Sequence, residues 1–317
     1  MRMSIVSFLI ILVAPLILAA CGEAAPAVNQ ATAVPAQVIT TFYPTRYFAQ
    51  RISGGVVRVE CPTPADADPI FWVPDEAVTQ RFQTAELVVL NGAGFERWAA
   101  TAALPLQRTC ESARVFKDEF LTYAGVSHSH GASGEHTHAG TDGHTWMDPL
   151  NALRQAEAIA GRMAAQWPMH ERDFRQGFDG LAADLKQLDE RLRGLSERLA
   201  GVSLIASHPA YNYPARRYGW TLHNIDLPPD EAPSQAQREA LRAAIAKGDS
   251  RMAIVLFESD PSAEVRAALG AAAVVTFEPA EMLDPAREAR GEDYLSIMNA
   301  NVDRLESAMK PADRSIP

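Results

Sequence analysis

The stretch HERDFRQGFDGLAADLKQLDERLRGLSERL, His170 to Leu199, decides the architecture of this chain. Its apolar residues Phe174, Phe178, Leu181, Leu185, Leu188, Leu192, Leu195 and Leu199 recur at alternating steps of four and three, the spacing that gathers side chains on one face of an α-helix. At 1.5 Å per residue such a helix is about 45 Å long. Arg, Asp, Glu and Lys fill its opposite face, so it is a one-sided helix lying across something larger. A two-chain coiled coil is the other reading of the pattern, but Gly177, Gly180 and Gly194 weaken a free-standing one. We read it as a strut that spans two lobes.

The flanking sequence supplies those lobes. Before the strut, short apolar runs precede helical patterns, as in QVITTF before PTRYFAQRISG and AELVVLNGAG before FERWAATAAL. The same alternation resumes after Gly201 with VSLIASH, MAIVLFESD and AAVVTFEP, and EDYLSIMNANVDRLESAM forms a closing amphipathic helix. Alternating strands and helices predict an α/β fold of two βα lobes with mainly parallel sheets, joined by the long backbone helix. Asp148 and Pro149 begin the helix that leads into the strut, a capping carboxylate followed by proline at the first helical position. The expected division is an N-terminal lobe over 37–169 with a His-rich loop at 127–143, the bridging helix over 170–199 and a C-terminal lobe over 200–317. Lobes of similar size suggest an old duplication.

The N-terminus sets the address. Arg2 precedes an apolar run from Ile5 to Leu18, shorter than the roughly 20 residues of a membrane span, which reads as a secretory leader over 1–20. Leu18-Ala19-Ala20-Cys21 resembles a bacterial lipobox, so Cys21 is the expected lipidation site and 21–36 a flexible tether. The body then sits outside the cytoplasm, held by lipid on a bacterial membrane at the cell surface or the periplasmic face. The formal charge of −10 excludes a nucleic-acid partner. With Cys21 taken by lipid, Cys61 and Cys110 form an even pair in an oxidising compartment, read as a disulfide ahead of the alternative of two buried thiols.

Five of the eight histidines fall in SHSHGASGEHTHAGTDGHTWMDP, Ser127 to Pro149. The part up to Asp142 is rich in Gly, Ser, Thr and Ala without apolar periodicity, so it is read as a mobile loop whose His128, His130, His136 and His138 act as a flexible capture arm. His144 stands at the rigid end of this segment. Two further metal-capable residues follow strands of the second lobe, where open parallel sheets present their ligand-binding loops. His208 follows SLIAS, and Glu278 follows VVTF. Two imidazoles and one carboxylate, drawn from both lobes, suit Zn²⁺ in the interlobe cleft. His170 and His223 are assigned to structure.

At this point the chain resembles a family. TTFYPTRYFAQRISG, ELVVLNGAGFERW, HTWMDP, SHPAYNYPARRYG and EDYLSIMNANVDRLESAM are similar to segments of the cluster A-I solute-binding proteins, the extracytoplasmic receptors of ABC importers for zinc and manganese. The resemblance runs in order from Val38 to Met309. It implies one metal between the lobes, a membrane permease with its ATPase as partner, a monomeric receptor and no catalysis. By position it makes His144 and His208 ligands; manganese-type members carry glutamate in place of His208 and lack the His-rich loop, so zinc is expected over Mn²⁺. The family's final aspartate is matched by Glu278. The family's first-lobe histidine is replaced by Ile70 in ADPIFWVP. Three answers to that gap stand open: three protein ligands plus water, His136 or His138 swung in as the fourth ligand, or a site plugged by Phe71 and Trp72. Two other functions are weighed beside the receptor. One is a surface zinc buffer or metallochaperone that works without a transporter through its loop. The other is an exported hydrolase with Glu258 as general base.

Overall fold

A computed structural model describes residues 38–129, 135–247, 252–270 and 272–310, with the side chains of 123–139 left aside. The leader, Cys21 and the tether lie outside these residues, as does His130. Ala36–Pro317 forms one compact unit.

Two four-stranded parallel sheets carry it. In the first, β1 (Val38–Thr40), β2 (Val59–Glu60), β3 (Leu87–Leu90) and β4 (Thr109–Glu111) lie in the order β2-β1-β3-β4, with α1 (Tyr43–Ser53) and α2 (Glu76–Thr84) in the connections. A two-stranded antiparallel hairpin follows, β5 (Thr122–Ser129) and β6 (Glu135–Thr141), and then α3 (Pro149–Gln166) and α4 (Glu171–Arg198). The second sheet holds β7 (Ser203–Ala206), β8 (Leu222–Asn224), β9 (Ala253–Phe257) and β10 (Ala273–Thr276) in the order β8-β7-β9-β10. Around it lie α5 (Asn212–Tyr218), α6 (Gln235–Lys247), α7 (Ala263–Ala268), α8 (Pro285–Ala289) and α9 (Tyr294–Ala308). Each sheet therefore runs second-first-third-fourth in chain order, and each has its switch point between its first and third strands. Central strands are continuous apolar runs, LVVL in β3 and AIVLF in β9, because both of their faces are buried.

The strut is α4, 28 residues long, and the expected Leu181, Leu185, Leu188, Leu192 and Leu195 are all buried. Its apolar face lies on α1 and α3 of the first lobe and on α5 and α9 of the second. Gly177 lets α4 approach α1: a Cβ there would stand 2.4 Å from the Ile52 carbonyl oxygen. Asp189, 4% exposed on the same helix, binds Arg217 of α5 at 2.7 Å, Arg193 at 2.7 Å and the Tyr218 hydroxyl at 2.8 Å. Among the described residues no helix is long and apolar enough to cross a membrane.

One expectation fails here. Cys61 directly follows β2 and Cys110 lies in β4, the opposite edges of one sheet. Three strand spacings separate them by about 14 Å, twice the roughly 7 Å that a disulfide tolerates, and both thiols are free. The described backbone of the His-rich segment pairs as a hairpin in which His128 stands opposite His136 and Val126 opposite His138.

Candidate metal centre

The cavity between the lobes, about 330 Å³, is lined by Asp68, Ile70, His208, Glu258, Glu278 and Glu281 among others. Its position follows from the topology. Loops after neighbouring strands with opposite onward connections part and leave a crevice at the switch point. In the second sheet those strands are β7 and β9. His208 comes two residues after β7 and Glu258 immediately after β9.

His144 enters from the first lobe on a loop that buried amides fix in place. Asn91, just beyond β3, donates to the Gly143 carbonyl at 2.9 Å and accepts from the Thr145 hydroxyl at 2.9 Å and from Gln155 at 2.8 Å. Asp142 orients the ring: one carboxylate oxygen lies 3.0 Å from the His144 amide N–H and 2.9 Å from Nδ1. The other oxygen accepts from Asn212 of α5 at 2.9 Å, and Tyr213 donates to the Asp142 carbonyl at 2.9 Å. A carboxylate on Nδ1 that leaves Nε2 to face the site is the usual support of a metal-binding histidine.

Nε2 of His144 lies 3.1 Å from Glu281 Oε1, and the His208 ring is 5.4 Å from that of His144, centre to centre. His144 is 3% and His208 6% exposed. Burial on its own would lower the His144 pKa, but the hydrogen bonds and charges of Asp142 and Glu281 outweigh it and push the imidazole up to about 10. The ring thus lies between two carboxylates that favour its protonated form. Burial pushes the Glu258 carboxyl up to about 7; the Glu281 charge adds to this, His144 opposes it and Asp68 adds again. Among the described residues no three His, Cys, Asp or Glu side chains already stand as a coordinating group. The donors are adjacent, with Nε2 of His144 and Oε1 of Glu281 3.1 Å apart.

The structure brings His144 and His208 to one place. Glu278 is drawn away: its carboxylate is bound by Arg287 at 2.7 Å and Arg304 at 3.0 Å, and Asn301 holds its backbone N–H and carbonyl at 2.9 and 2.8 Å. Two guanidiniums occupy the oxygens that a metal would need. Glu281, three residues on, takes the position beside His144, its carbonyl accepting from the Tyr43 N–H at 3.2 Å. Reading the sequence missed Glu281 and Asp142, although both stood within three residues of residues it had singled out. Phe71 and Trp72 do not fill the cleft. Phe71 lies under the Arg97 guanidinium and Trp72 packs edge-on against Trp98. Of the arm, the backbones of His128, His136 and His138 lie in the hairpin, and His130 lies outside the described residues. His170 sits at the start of α4, 3.3 Å from Asp173, and His223 on the edge strand β8.

Comparison with known proteins bears on the fold and the family. The high-affinity zinc uptake system protein ZnuA of Bacillus subtilis is 26% identical over 309 residues, 93% of this chain and 94% of its own length. The zinc-binding lipoprotein AdcA of Streptococcus pneumoniae is 27% identical over 85% of this chain, which spans 55% of that longer protein. Among solved structures, the metal-dependent lipoprotein YcdH of Bacillus subtilis superposes with a TM-score of 0.73 at 23% identity, covering 85% of this chain and 97% of that one. The zinc-bound ZnuA-like domain of Streptococcus pneumoniae AdcA does so with 0.70 at 24% identity, covering 86% and 98%. The family described as zinc-uptake complex component A, periplasmic, matches residues 38–308, so the interlobe cleft, the strut and the two sheets are those of a ZnuA protein, and the chain belongs to that family.

Proposed function

We propose that this chain is the capture component of a zinc importer: it takes up Zn²⁺ between its lobes through His144, His208 and Glu281 and delivers it to an ABC-type permease. The observation that carries the reading is the buried approach of His144 Nε2 to Glu281 Oε1, with a second imidazole beside them. Zinc takes the place between these groups. It gains an imidazole nitrogen oriented by Asp142 and a carboxylate, and a carboxylate with two imidazoles is a common zinc donor set. Mn²⁺, which prefers oxygen, is the weaker cargo of such a set. Glu278 is left out because its carboxylate already neutralises two arginines.

The remaining parts follow from the same reading. Cys21 carries lipid and 21–36 tethers the body, as a monomer, to the outer side of a bacterial membrane. The His-rich hairpin concentrates zinc near the cleft but does not replace it, which distinguishes a receptor from a buffer. A family of uptake components leaves the hydrolase reading without support. The test is metal counting after dialysis against buffered zinc and manganese together. One tightly held zinc that survives deletion of 127–140, which leaves Asp142 in place beside His144, and is lost in His144→Ala and His208→Ala supports the cleft receptor. Loss of all binding with the hairpin instead supports the buffer.

A further inference from the structure

Ile70 leaves the cleft one donor short, and Glu258 is placed to make it good. Ile70 is 7% exposed, packed in the core cluster that joins the lobes, and its side chain can bind no metal. It lines the same cavity as His208, Glu258 and Glu281. The three glutamates of that cavity differ in what holds them. Glu278 is held by Arg287 and Arg304, and Glu281 by His144. Glu258 is half-buried, and no hydrogen bond or ion pair reaches it from a described residue. It leaves β9 at the switch point, beside the loop from β7 that carries His208. Asp68 lines the cavity too, but it is exposed and one of its oxygens accepts the Ile70 N–H at 2.9 Å, holding the turn.

Resting on the proposed zinc site, we infer that Glu258 is the fourth metal ligand, so that the set is two imidazoles and two carboxylates. A partly buried carboxylate without a cationic partner is costly, and a divalent cation between Glu258 and Glu281 offsets the repulsion of the pair. Four donors also complete the tetrahedron that zinc favours without recruiting water or the hairpin. Exchanging one imidazole for a carboxylate makes the set harder and narrows its preference for zinc over manganese.

The test is chelator competition with zinc alone and with manganese alone on the whole protein, wild type, E258Q, D68N, I70H and the double variant I70H/E258Q. Removing a ligand should weaken zinc by no less than the about 10–100-fold typical of removing a group behind the ligands. We expect that loss in E258Q, restoration of zinc but not manganese binding in I70H/E258Q, and a wider zinc preference in I70H. Cobalt substitution adds a readout independent of affinity: the visible bands of the cobalt-loaded protein change in E258Q and not in D68N. Wild-type zinc affinity in E258Q, with loss in H208A, overturns the fourth ligand and leaves the site. A larger loss in D68N overturns it in favour of the turn aspartate. Absence of tight zinc binding in the wild type overturns the site and the ligand together.

Discussion

The contact between His144 and Glu281 determines how the site responds to pH, and over a range that the free imidazole does not reach. With its pKa raised from 6.5 to about 10, His144 stabilises the metal-free fold fully below about pH 6.5. That contribution is lost as pH rises through 10. Zinc competes with the same proton, so its affinity should climb by roughly tenfold per pH unit from about pH 6.5 towards 10, where a free imidazole would level off near 6.5. Chelator competition between pH 6.5 and 8.5 checks the slope, and calorimetry should show the metal-free melting temperature falling as the zinc-induced increment grows. Glu281→Ala should weaken zinc by about two orders of magnitude, on the order of 3 kcal/mol. Glu278→Ala should leave zinc binding and lower stability, because Arg287 and Arg304 lose their partner. His144 and His208 were legible because their positions relative to strands and caps are local. The tie of Glu278 to arginines was not, since one of them is Arg304, 26 residues beyond it on α9.

At the scale of elements, α4 was the part most open to reading, because burial of one face imposes a period that few other structures share. Its glycines were only half understood. They weaken a free coiled coil, but Gly177 also opens the path by which α4 reaches the carbonyls of Arg51 and Ile52. Gly177→Ala should therefore destabilise the fold by about 1–3 kcal/mol, despite the better helix propensity of alanine. Denaturant unfolding of the variant measures this. The hairpin was not legible, because GEHTH offers no apolar alternation from which to read a strand. Nor was the fate of the cysteines, since the sheet order that parts them depends on crossovers and not on spacing. Burial raises both thiols, Cys110 up to about 12. A thiol probe should label neither until the chain unfolds, and adding reductant should leave the melting temperature unchanged.

Across the whole molecule, βα alternation foretold two lobes, while the shared second-first-third-fourth strand order emerged only in three dimensions. It gives the suggestion of duplication a structural form. The lobes are also sewn together beside the cleft. Trp146 donates to the Pro279 carbonyl at 2.6 Å, Tyr294 to the Trp146 carbonyl at 2.7 Å, and Asn212 to Asp142 at 2.9 Å. With α4 braced on both, hinge opening has to break buried hydrogen bonds, each expensive to leave unmade. Small-angle scattering of metal-free and zinc-loaded protein should give the same radius of gyration within error, whereas a wide rotation would contradict the bracing. A body so stiff keeps nearly one silhouette, full or empty. Any protein that has to tell the two apart has little contour to read, and is left to sense the gain of positive charge where the cleft meets the surface.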